Sequence, residues 1–237
     1  MTYHIITTQE KIYDSFLNTG LIARGLDKKF IDIKIHNLYD FGFGIHKSID
    51  DTPYGGGAGM VIRVDVMDKA IKKIQNSNLP AGKAGLKSQN DNKKCKIILL
   101  TPQGNKFDQK MAKKLSKEKE LILISGRFEG FDERIRDLVD LEISIGDYVL
   151  TSGDLPTMVL IDAISRQIPG FIEEKESLKY ESFDNNLLEF PQYTRPFEYK
   201  NKKVPEILLS GNHAEIAKWR KQEAIERTRK RRPDINQ

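Results

Sequence analysis

The chain has 237 residues, of which 38% are apolar and 31% are charged, and its net charge is +5. These values are typical of a soluble protein with a normal core, and no apolar run approaches the roughly 18 residues that cross a bilayer. Residues 1–5 lack the features of a signal peptide, and Cys95 is the only cysteine. We therefore expect a cytoplasmic protein without an internal disulfide or a cysteine-rich zinc site.

Apolar periodicity in the first three quarters of the chain predicts alternating strands and helices. Strands are predicted at residues 3–8, 30–35, 96–100, 121–124 and 141–145. Helices are predicted at residues 9–18, 64–75, 108–119, 132–139 and 155–167, and Asp108 and Asp154 are the predicted N-terminal caps of two of them. This alternation indicates an α/β fold with a largely parallel sheet. The polar segment 76–95 has no core pattern and is assigned no function.

Residues 50–60 form a glycine-rich loop, because four glycines in the five positions 55–59 fit neither a stable helix nor a strand. The loop lacks the Lys-Ser/Thr ending of a P-loop, so we do not expect it to bind a nucleoside triphosphate. A plain flexible linker is usually serine-rich, whereas this loop carries two aspartates and Tyr54. We therefore interpret it as a functional loop rather than a linker.

Three later strands each end in a glycine-bearing loop, at residues 101–106, 125–132 and 144–156. The carboxyl ends of parallel strands meet at one edge of a sheet, where α/β proteins bind their ligands. Each loop alone is equally consistent with an ordinary strand-to-helix turn. Together the three loops predict a composite pocket of backbone donors and acceptors.

The C-terminal quarter of the chain has a different composition. The polar residues 173–186 are the predicted linker between a domain of residues 1–172 and a helical domain of residues 187–237. Asn212 and Glu215 have the spacing of a capping box and predict the start of the last helix. Residues 218–232 hold eight basic and two acidic residues, a net charge of +6 that exceeds the charge of the whole chain. This concentration predicts contact with a polyanion such as RNA, and the alternative is a solvated helix end.

Six stretches of the chain match one known family in the same order. They are DTPYGGGAGM (51–60), TPQG (101–104), SGRFEGFDER (125–134), SIGDYVL (144–150), PQYTRP (191–196) and LSGNHAEI (209–216). They resemble the bacterial tRNA (guanine-N(1)-)-methyltransferase family of the SPOUT class, known as TrmD. The resemblance covers nearly the whole chain apart from residues 76–95, and six stretches in register make it specific.

The resemblance implies a fold that periodicity does not reveal. Residues 1–172 would form a SPOUT-type parallel sheet whose C-terminal part is tied in a trefoil knot by the loops that begin at Thr101, Gly126 and Ser144. A small all-α C-terminal domain would bind tRNA. The resemblance also implies a homodimer with active sites shared between subunits, and no association with membranes.

The activity implied by the resemblance is methyl transfer from S-adenosylmethionine to the N-1 atom of the guanine at tRNA position 37, next to the anticodon. The residues that correspond to the family's cofactor pocket are Leu99, Leu100, Thr101, Gly126, Glu129, Ser144, Ile145, Gly146, Tyr148, Leu150, Gly153 and Pro156. Most of them would act through backbone atoms. Glu129 is the exception, and its carboxylate would lie near the methionine amine or a metal ion.

The catalytic residues of the family correspond to Arg166, which would contact the guanine O6, and to a carboxylate that would take the N-1 proton. The family has an Asp before its Ser-Phe pair, whereas this chain has Glu181 before Ser182 and Phe183. Asp184 is the alternative base. The family's reported need for Mg²⁺ makes Glu129 and Glu181 the candidate oxygen ligands, although the sequence contains no metal-ligand cluster.

Basic residues would hold the tRNA phosphates. With the glycine-rich loop, the residues implied in RNA binding are Gly59, Arg195, Lys218, Arg220, Arg227, Arg231 and Arg232. Two other interpretations remain open: a related knotted methyltransferase that acts on another RNA position, and a non-catalytic RNA-binding protein. The C-terminal stretches 191–196 and 209–216 favour the position-37 enzyme, whereas the Glu181 departure is the only feature that favours the non-catalytic protein.

Overall fold

The computed structural model describes residues 1–77, 95–173, 181–183 and 186–236. The chain divides into two units, Met1–Ile172 and Glu173–Gln237. Most of the polar segment 76–95 and much of the predicted linker 173–186 lie outside the described residues. The same is true of Asp184, the alternative base.

The first unit is built on a sheet of five parallel strands. These strands are β1 (Thr2–Thr7), β2 (Asp32–Asn37), β5 (Lys96–Lys106), β6 (Glu120–Ser125) and β7 (Leu141–Ser144). Their order across the sheet is β2-β1-β6-β5-β7. Two short antiparallel strands, β3 (Asp50–Asp51) and β4 (Val61–Ile62), close the base of the glycine-rich loop. The predicted parallel α/β sheet is therefore confirmed.

Helices connect these strands, as parallel pairing requires. They are α1 (Asp14–Leu17), α2 (Gly20–Asp27), α3 (Val64–Ser77), α4 (Gln109–Leu115) and α5 (Asp154–Ser165). Three 3₁₀ turns lie at Glu10–Tyr13, Leu38–Phe41 and Glu133–Leu138. Asp108 caps α4 as predicted, because its Oδ1 accepts a hydrogen bond from the Met111 N–H at 2.7 Å.

Alternate side chains of the strands fill two hydrophobic clusters, one on each face of the sheet. Tyr3 and Ile5 of β1 lie in one cluster, which α5 completes with buried side chains such as Leu160. Ile6 lies in the opposite cluster, which α3 completes with buried side chains such as Met67. Because both faces are covered, the inner strands β1 and β6 and the first half of β5 carry continuous runs of buried, mainly apolar residues, whereas the edge strand β2 alternates polar and apolar residues.

Two elements of the first unit differ from the sequence prediction. The helix predicted at residues 9–18 does end before Gly20, but a further helix that was not predicted, α2, begins at Gly20, and its Gly25 packs inside the unit against the Phe171 ring. The strand expected at residues 96–100 continues to Lys106 as β5. In both cases contacts with distant segments override the local signal of glycine or proline.

The second unit contains one long helix, α6 (His213–Arg231), which Asn212 caps through a 3.3 Å hydrogen bond from the Glu215 N–H. Its described residues also include strands β8 (Glu198–Tyr199) and β9 (Lys202–Lys203) and 3₁₀ turns at Glu206–Leu209 and Pro233–Asn236. The expectation of an all-α domain is thus wrong in one detail. The β8–β9 ribbon turns through Lys200 and Asn201, which both have positive φ, and this pair lacks the Asn-Gly signal of such turns.

Candidate active site

A cavity of about 450 Å³ lies at the carboxyl ends of β5, β6 and β7. These three strands are neighbours in the sheet, so their following loops meet at one edge. The twelve residues predicted to bind S-adenosylmethionine all line this cavity: Leu99, Leu100, Thr101, Gly126, Glu129, Ser144, Ile145, Gly146, Tyr148, Leu150, Gly153 and Pro156. The structure therefore brings the three glycine-bearing loops together around one space.

One wall of the cavity is an excursion within β5. Leu100 pairs with Ile143 of β7, and Asn105 pairs with the same residue, so residues 101–104 leave the sheet between the two pairings. Thr101, Pro102 and Gln103 line the cavity from this excursion. A side chain at Gly104 would lie 2.7 Å from the Glu142 carbonyl oxygen, so only glycine allows the chain to return this closely to β7.

The second and third loops are in direct backbone contact. The Gly153 N–H donates a 2.8 Å hydrogen bond to the Gly126 carbonyl oxygen. A β-carbon on Gly153 would lie 2.8 Å from the Gly126 nitrogen, and one on Gly126 would lie 2.6 Å from the Phe131 Cζ atom. These two glycines are therefore needed for close approach, which leaves backbone groups to face the cavity.

Asp154 was predicted to cap the N-terminus of α5, but it lies inside the helix and is buried. Gly153 is the cap residue of α5, and Asp154 is the first residue of the helix, where only 1% of it is exposed. Its Oδ1 accepts hydrogen bonds from Thr7, Tyr13 and Ser125, and its Oδ2 accepts one from Ser152. The cap prediction is wrong because these donors, two of them more than 140 residues away, hold the carboxylate inside the unit.

Backbone hydrogen bonds join the end of the glycine-rich loop to the cavity loop 125–132. The Glu129 N–H donates to the Met60 carbonyl at 3.1 Å, and the Ile62 N–H donates to the Gly130 carbonyl at 2.9 Å. Gly59, with φ of +78°, faces the Glu129 side chain. The predicted RNA-binding glycine and the predicted cofactor-binding carboxylate are thus neighbours, and a fourth loop joins the site.

One polar part of the cavity wall is not predicted from the sequence. Arg136 donates to the Gln103 side-chain oxygen at 2.6 Å and forms an ion pair with Glu142. Arg136 and Gln103 line the cavity, as does Phe128, whose φ of +60° is unusual for a bulky residue. The motif SGRFEGFDER contains Phe128 but ends just before Arg136, and no local pattern connects Arg136 with Gln103.

The predicted catalytic residues do not all lie at this cavity. Arg166 follows α5 as its C-terminal cap residue, is half-buried, and is not among the residues that line the cavity. Glu181 belongs to the second unit, and Asp184 lies outside the described residues. The roles of all three stay predictions.

The predicted RNA-binding residues of the second unit have unequal surroundings. Arg231 and Arg195 are exposed, whereas Arg227 is half-buried. Lys218 forms an ion pair with Glu215 at 2.8 Å, and Arg232 forms one with Asp234 at 2.7 Å.

Arg220 is half-buried and packs on an aromatic ring. Its guanidinium carbon lies 4.7 Å from the centre of the Phe190 ring. Its Nε is buried and has no hydrogen-bond partner in the part of the chain that the structure describes. Arg220 therefore contributes to the packing of this unit, whatever else it contacts.

A parallel α/β sheet with a small-molecule-sized cavity where three strands end has the arrangement in which α/β proteins bind their ligands. No helix among the described residues is long and apolar enough to cross a membrane. The chain belongs to the tRNA (Guanine-1)-methyltransferase TrmD family, whose family model matches residues 1–237.

Curated relatives match the chain over almost its full length. It is 45% identical to the tRNA (guanine-N(1)-)-methyltransferase of Geobacter sulfurreducens, over 99% of this chain and 91% of that protein. It is 46% identical to the protein of the same name from Mycoplasmopsis synoviae, over 99% of this chain and 96% of that protein. For the protein of that name from Clostridioides difficile, identity is 44%, over 99% of this chain and 97% of the relative.

Proposed function

We propose that this protein transfers a methyl group from S-adenosylmethionine to the N-1 atom of the guanine at position 37 of tRNA. The observation that carries the proposal is the family match over residues 1–237, together with a cavity lined by three of the six stretches that match the family. The relatives are named for methyl transfer to guanine N-1 of tRNA. The names of the relatives give neither the tRNA position nor the methyl donor, so position 37 and S-adenosylmethionine are our proposals.

The cavity residues fit a methyl donor of this size and polarity. A volume of about 450 Å³ lies in the range of small-molecule sites. Close glycine contacts leave backbone amides and carbonyls at the wall, which suits the adenine and ribose edges, and Glu129 supplies a carboxylate for the methionine amine. When bound there, S-adenosylmethionine supplies an electrophilic methyl group on its sulfonium sulfur.

The protein's own residues would prepare the guanine. The N-1 atom carries a proton and is a poor nucleophile until that proton leaves, so a general base is needed. We assign this role to Glu181 and keep Asp184 as the alternative. Negative charge then develops on O6, and the Arg166 guanidinium would stabilise it, an effect typically worth about 10²–10³ in rate.

We propose that the active site is completed by a second copy of the chain. The twelve residues of α5 span about 18 Å, so Arg166 at its end is farther from the cavity at its beginning than an arginine side chain reaches. On α5, Leu155 is 50% exposed and Val159 is 45% exposed, and residues four apart lie on one helix face. This apolar face fits an isologous contact that would bring the partner's α5 to the cavity.

The remaining parts of the proposal follow from the family. The excursion of β5 and the loops after β6 and β7 would form a trefoil knot, and the second unit would bind tRNA through the basic residues of α6. The protein would act in the cytoplasm, where tRNA is modified. Among the described residues no three carboxylate, imidazole or thiolate groups are placed to hold a metal ion, so no step is assigned to Mg²⁺.

The test is a methylation assay with labelled S-adenosylmethionine and two unmodified tRNA transcripts. One transcript has guanines at positions 36 and 37, and the other has adenine at position 37. We expect label only on the first, mapped to the N-1 atom of guanine 37. Label at another nucleotide would assign the protein to a different RNA position. Cofactor and tRNA binding without any label would mean a binding protein.

Shared active sites need a separate test. Arg166→Ala and Glu129→Ala would each be inactive alone if both residues serve catalysis. A mixture of the two variants, unfolded and refolded together, is expected to regain part of the activity, because a mixed dimer contains one site with both residues intact. A mixture that stays inactive, with dimers confirmed by sedimentation, would place both residues in the same site of one subunit.

A further inference from the structure

Asp154 has an unusual set of hydrogen-bond partners for a buried carboxylate. Four hydroxyl groups donate to it: Thr7 at 2.7 Å, Tyr13 at 2.8 Å, Ser125 at 2.6 Å and Ser152 at 2.9 Å. None of these donors is charged. A buried carboxylate is costly in free energy unless its oxygens accept hydrogen bonds, and here Oδ1 accepts from three hydroxyl groups and Oδ2 from one.

The four donors come from four separate segments of the first unit. Thr7 ends β1, Tyr13 ends the following 3₁₀ turn, Ser125 ends β6, and Ser152 lies in the loop before α5. Thr7 and Tyr13 hold the carboxylate against the buried side of the sheet edge, since both are fully buried. Ser125 and Ser152 connect it to the two loops that form the cavity.

On the cavity side, the two serines that donate to Asp154 each precede a glycine that lines the cavity. Ser125 is followed by Gly126, Ser152 is followed by Gly153, and Ser152 and both glycines line the cavity. The 2.8 Å hydrogen bond from the Gly153 N–H to the Gly126 carbonyl links the two loops at this point. Since both serines donate to one carboxylate, its position sets the separation of the two walls.

We propose that Asp154 is a positioning residue of the cofactor cavity, acting through Ser125 and Ser152 to fix the spacing of Gly126 and Gly153. This inference rests on the proposed function only in naming S-adenosylmethionine as the ligand. Asp154 itself does not line the cavity, so its effect is on the placement of backbone groups. Preorganised walls bind a ligand more tightly because less ordering remains to be done on binding.

Three variants of the full-length protein test this proposal. Ser125→Ala removes one donor on the cavity side, and Asp154→Asn replaces one of the two acceptor oxygens by an NH2 group, which cannot accept a hydrogen bond from a serine. Tyr3→Phe is the control, because it removes a buried 3.0 Å hydrogen bond to Ser165, remote from the two serines. Each variant is measured for urea stability, for S-adenosylmethionine affinity by calorimetry, and for hydrogen exchange at the Gly153 amide by NMR.

We expect Ser125→Ala and Asp154→Asn to weaken S-adenosylmethionine binding by about 10-fold or more and to speed exchange of the Gly153 amide by a similar factor. Tyr3→Phe should lose stability but keep cofactor affinity within about twofold. For Ser125→Ala, kcat at saturating cofactor should change much less than the KM for cofactor, because the reacting groups are untouched.

The outcomes separate this inference from the proposed function. The unaltered protein could bind no S-adenosylmethionine while the Gly153 amide exchanges faster in Ser125→Ala and Asp154→Asn. The proposed function would then be wrong, and the positioning of the loops by Asp154 would stand. If Tyr3→Phe weakens cofactor binding and speeds Gly153 exchange as much as Ser125→Ala does at equal stability, the positioning proposal is overturned. The same follows if Ser125→Ala and Asp154→Asn leave both measurements unchanged.

Discussion

The Glu129 side chain fills the space that a β-carbon on Gly59 would occupy. The Glu129 Oε1 atom lies 2.7 Å from that position, and its Cδ atom lies 3.0 Å from it. The glycine is therefore required on two grounds, since its φ of +78° also disfavours other residues. A loop with no sequence link to Glu129 thus limits where that carboxylate can be.

Substituting this glycine should reduce methyl transfer. We expect Gly59→Ala to displace either the loop or Glu129 and to lower kcat/KM by about 10-fold or more, because small displacements at a site are costly. Gly56→Ala is a matched control: Gly56 also has φ of +78°, but a β-carbon there would meet nothing within 4 Å. Equal losses in the two variants would mean that backbone strain, and not Glu129, accounts for the effect.

A buried glycine of α2 provides a test of packing. A β-carbon on Gly25 would lie 2.9 Å from the Phe171 Cζ atom, in the core of the first unit. Alanine is the better helix former by about 1 kcal/mol, but we expect overpacking to prevail, so Gly25→Ala should lower the free energy of unfolding by about 1–2 kcal/mol.

The reason for that loss can be isolated with a double-mutant cycle. Phe171→Leu alone should destabilise the protein by leaving a cavity, yet Gly25→Ala should cost less in the Phe171→Leu background than in the unaltered protein. Urea unfolding of the four proteins gives the coupling energy. Additive effects would show that the Phe171 ring does not oppose the alanine methyl group.

A histidine pair should make stability depend on pH. The His4 Nδ1 and His36 Nε2 atoms lie 3.0 Å apart on adjacent strands, and His4 is 1% exposed. Burial lowers the pKa of His36 from 6.5 to about 4, with His4, Lys34 and Lys73 acting in the same direction. Burial also lowers the pKa of His4; Lys34 adds to this and Asp32 opposes it.

The sign of the pH effect follows from proton binding. Between pH 6.5 and about 4 the unfolded chain binds a proton at His36 that the folded chain does not. The free energy of unfolding should therefore fall as the pH is lowered through this window. Urea midpoints at pH 7 and pH 5 measure the fall, and His36→Gln should make it smaller. An unchanged fall in His36→Gln would assign the effect to other groups.

Two arginines of α6 should give opposite results in tRNA binding and stability. Arg231 is exposed, so Arg231→Ala should weaken tRNA binding, reduce the salt slope by about 1, and leave stability unchanged. Arg220 packs on Phe190, so Arg220→Ala should lower the melting temperature of the second unit. Filter binding at several salt concentrations and calorimetry distinguish the two. A normal melting temperature for Arg220→Ala would count against its packing role.

The general base is tested by changing one carboxylate at a time. Glu181→Gln should lower kcat by at least about 100-fold, since an amide cannot accept the N-1 proton. The affinity for S-adenosylmethionine should stay nearly the same, because Glu181 is outside the residues that line the cavity. Asp184→Asn is the companion variant. Loss of turnover in Asp184→Asn, with Glu181→Gln active, would transfer the base role to Asp184.

Local patterns predict much of this fold because its inner strands are buried on both faces. The five sheet strands, α3 and the Asp108 and Asn212 caps all follow from apolar runs and from short-range capping rules. The meeting of three loops at one edge follows from the parallel order. The twelve cavity residues were found through resemblance, since their backbone contacts leave little trace in side-chain type.

Long-range contacts explain what the sequence does not reveal. Asp154 resembles a helix cap, and only the fold brings Thr7 and Tyr13 to it. Pro102 and Gly104 indicate a loop, but pairing with β7 resumes beyond them and extends β5 to Lys106. The closeness of Gly59 to Glu129 likewise depends on pairings between segments about 70 residues apart, which no periodicity in either segment encodes.

The excursion of β5 limits which sequence changes homologous proteins can accept in residues 101–104. Because Leu100 and Asn105 both pair with Ile143, residues 101–104 are held at both ends by a single residue of β7. Exchanges of side chains at Pro102 and Gln103 leave this attachment intact. Loss or gain of one residue would rotate Asn105 and Lys106 to the wrong faces of the sheet. Natural variation should therefore keep the length of this segment constant, whatever side chains the cavity requires at its positions.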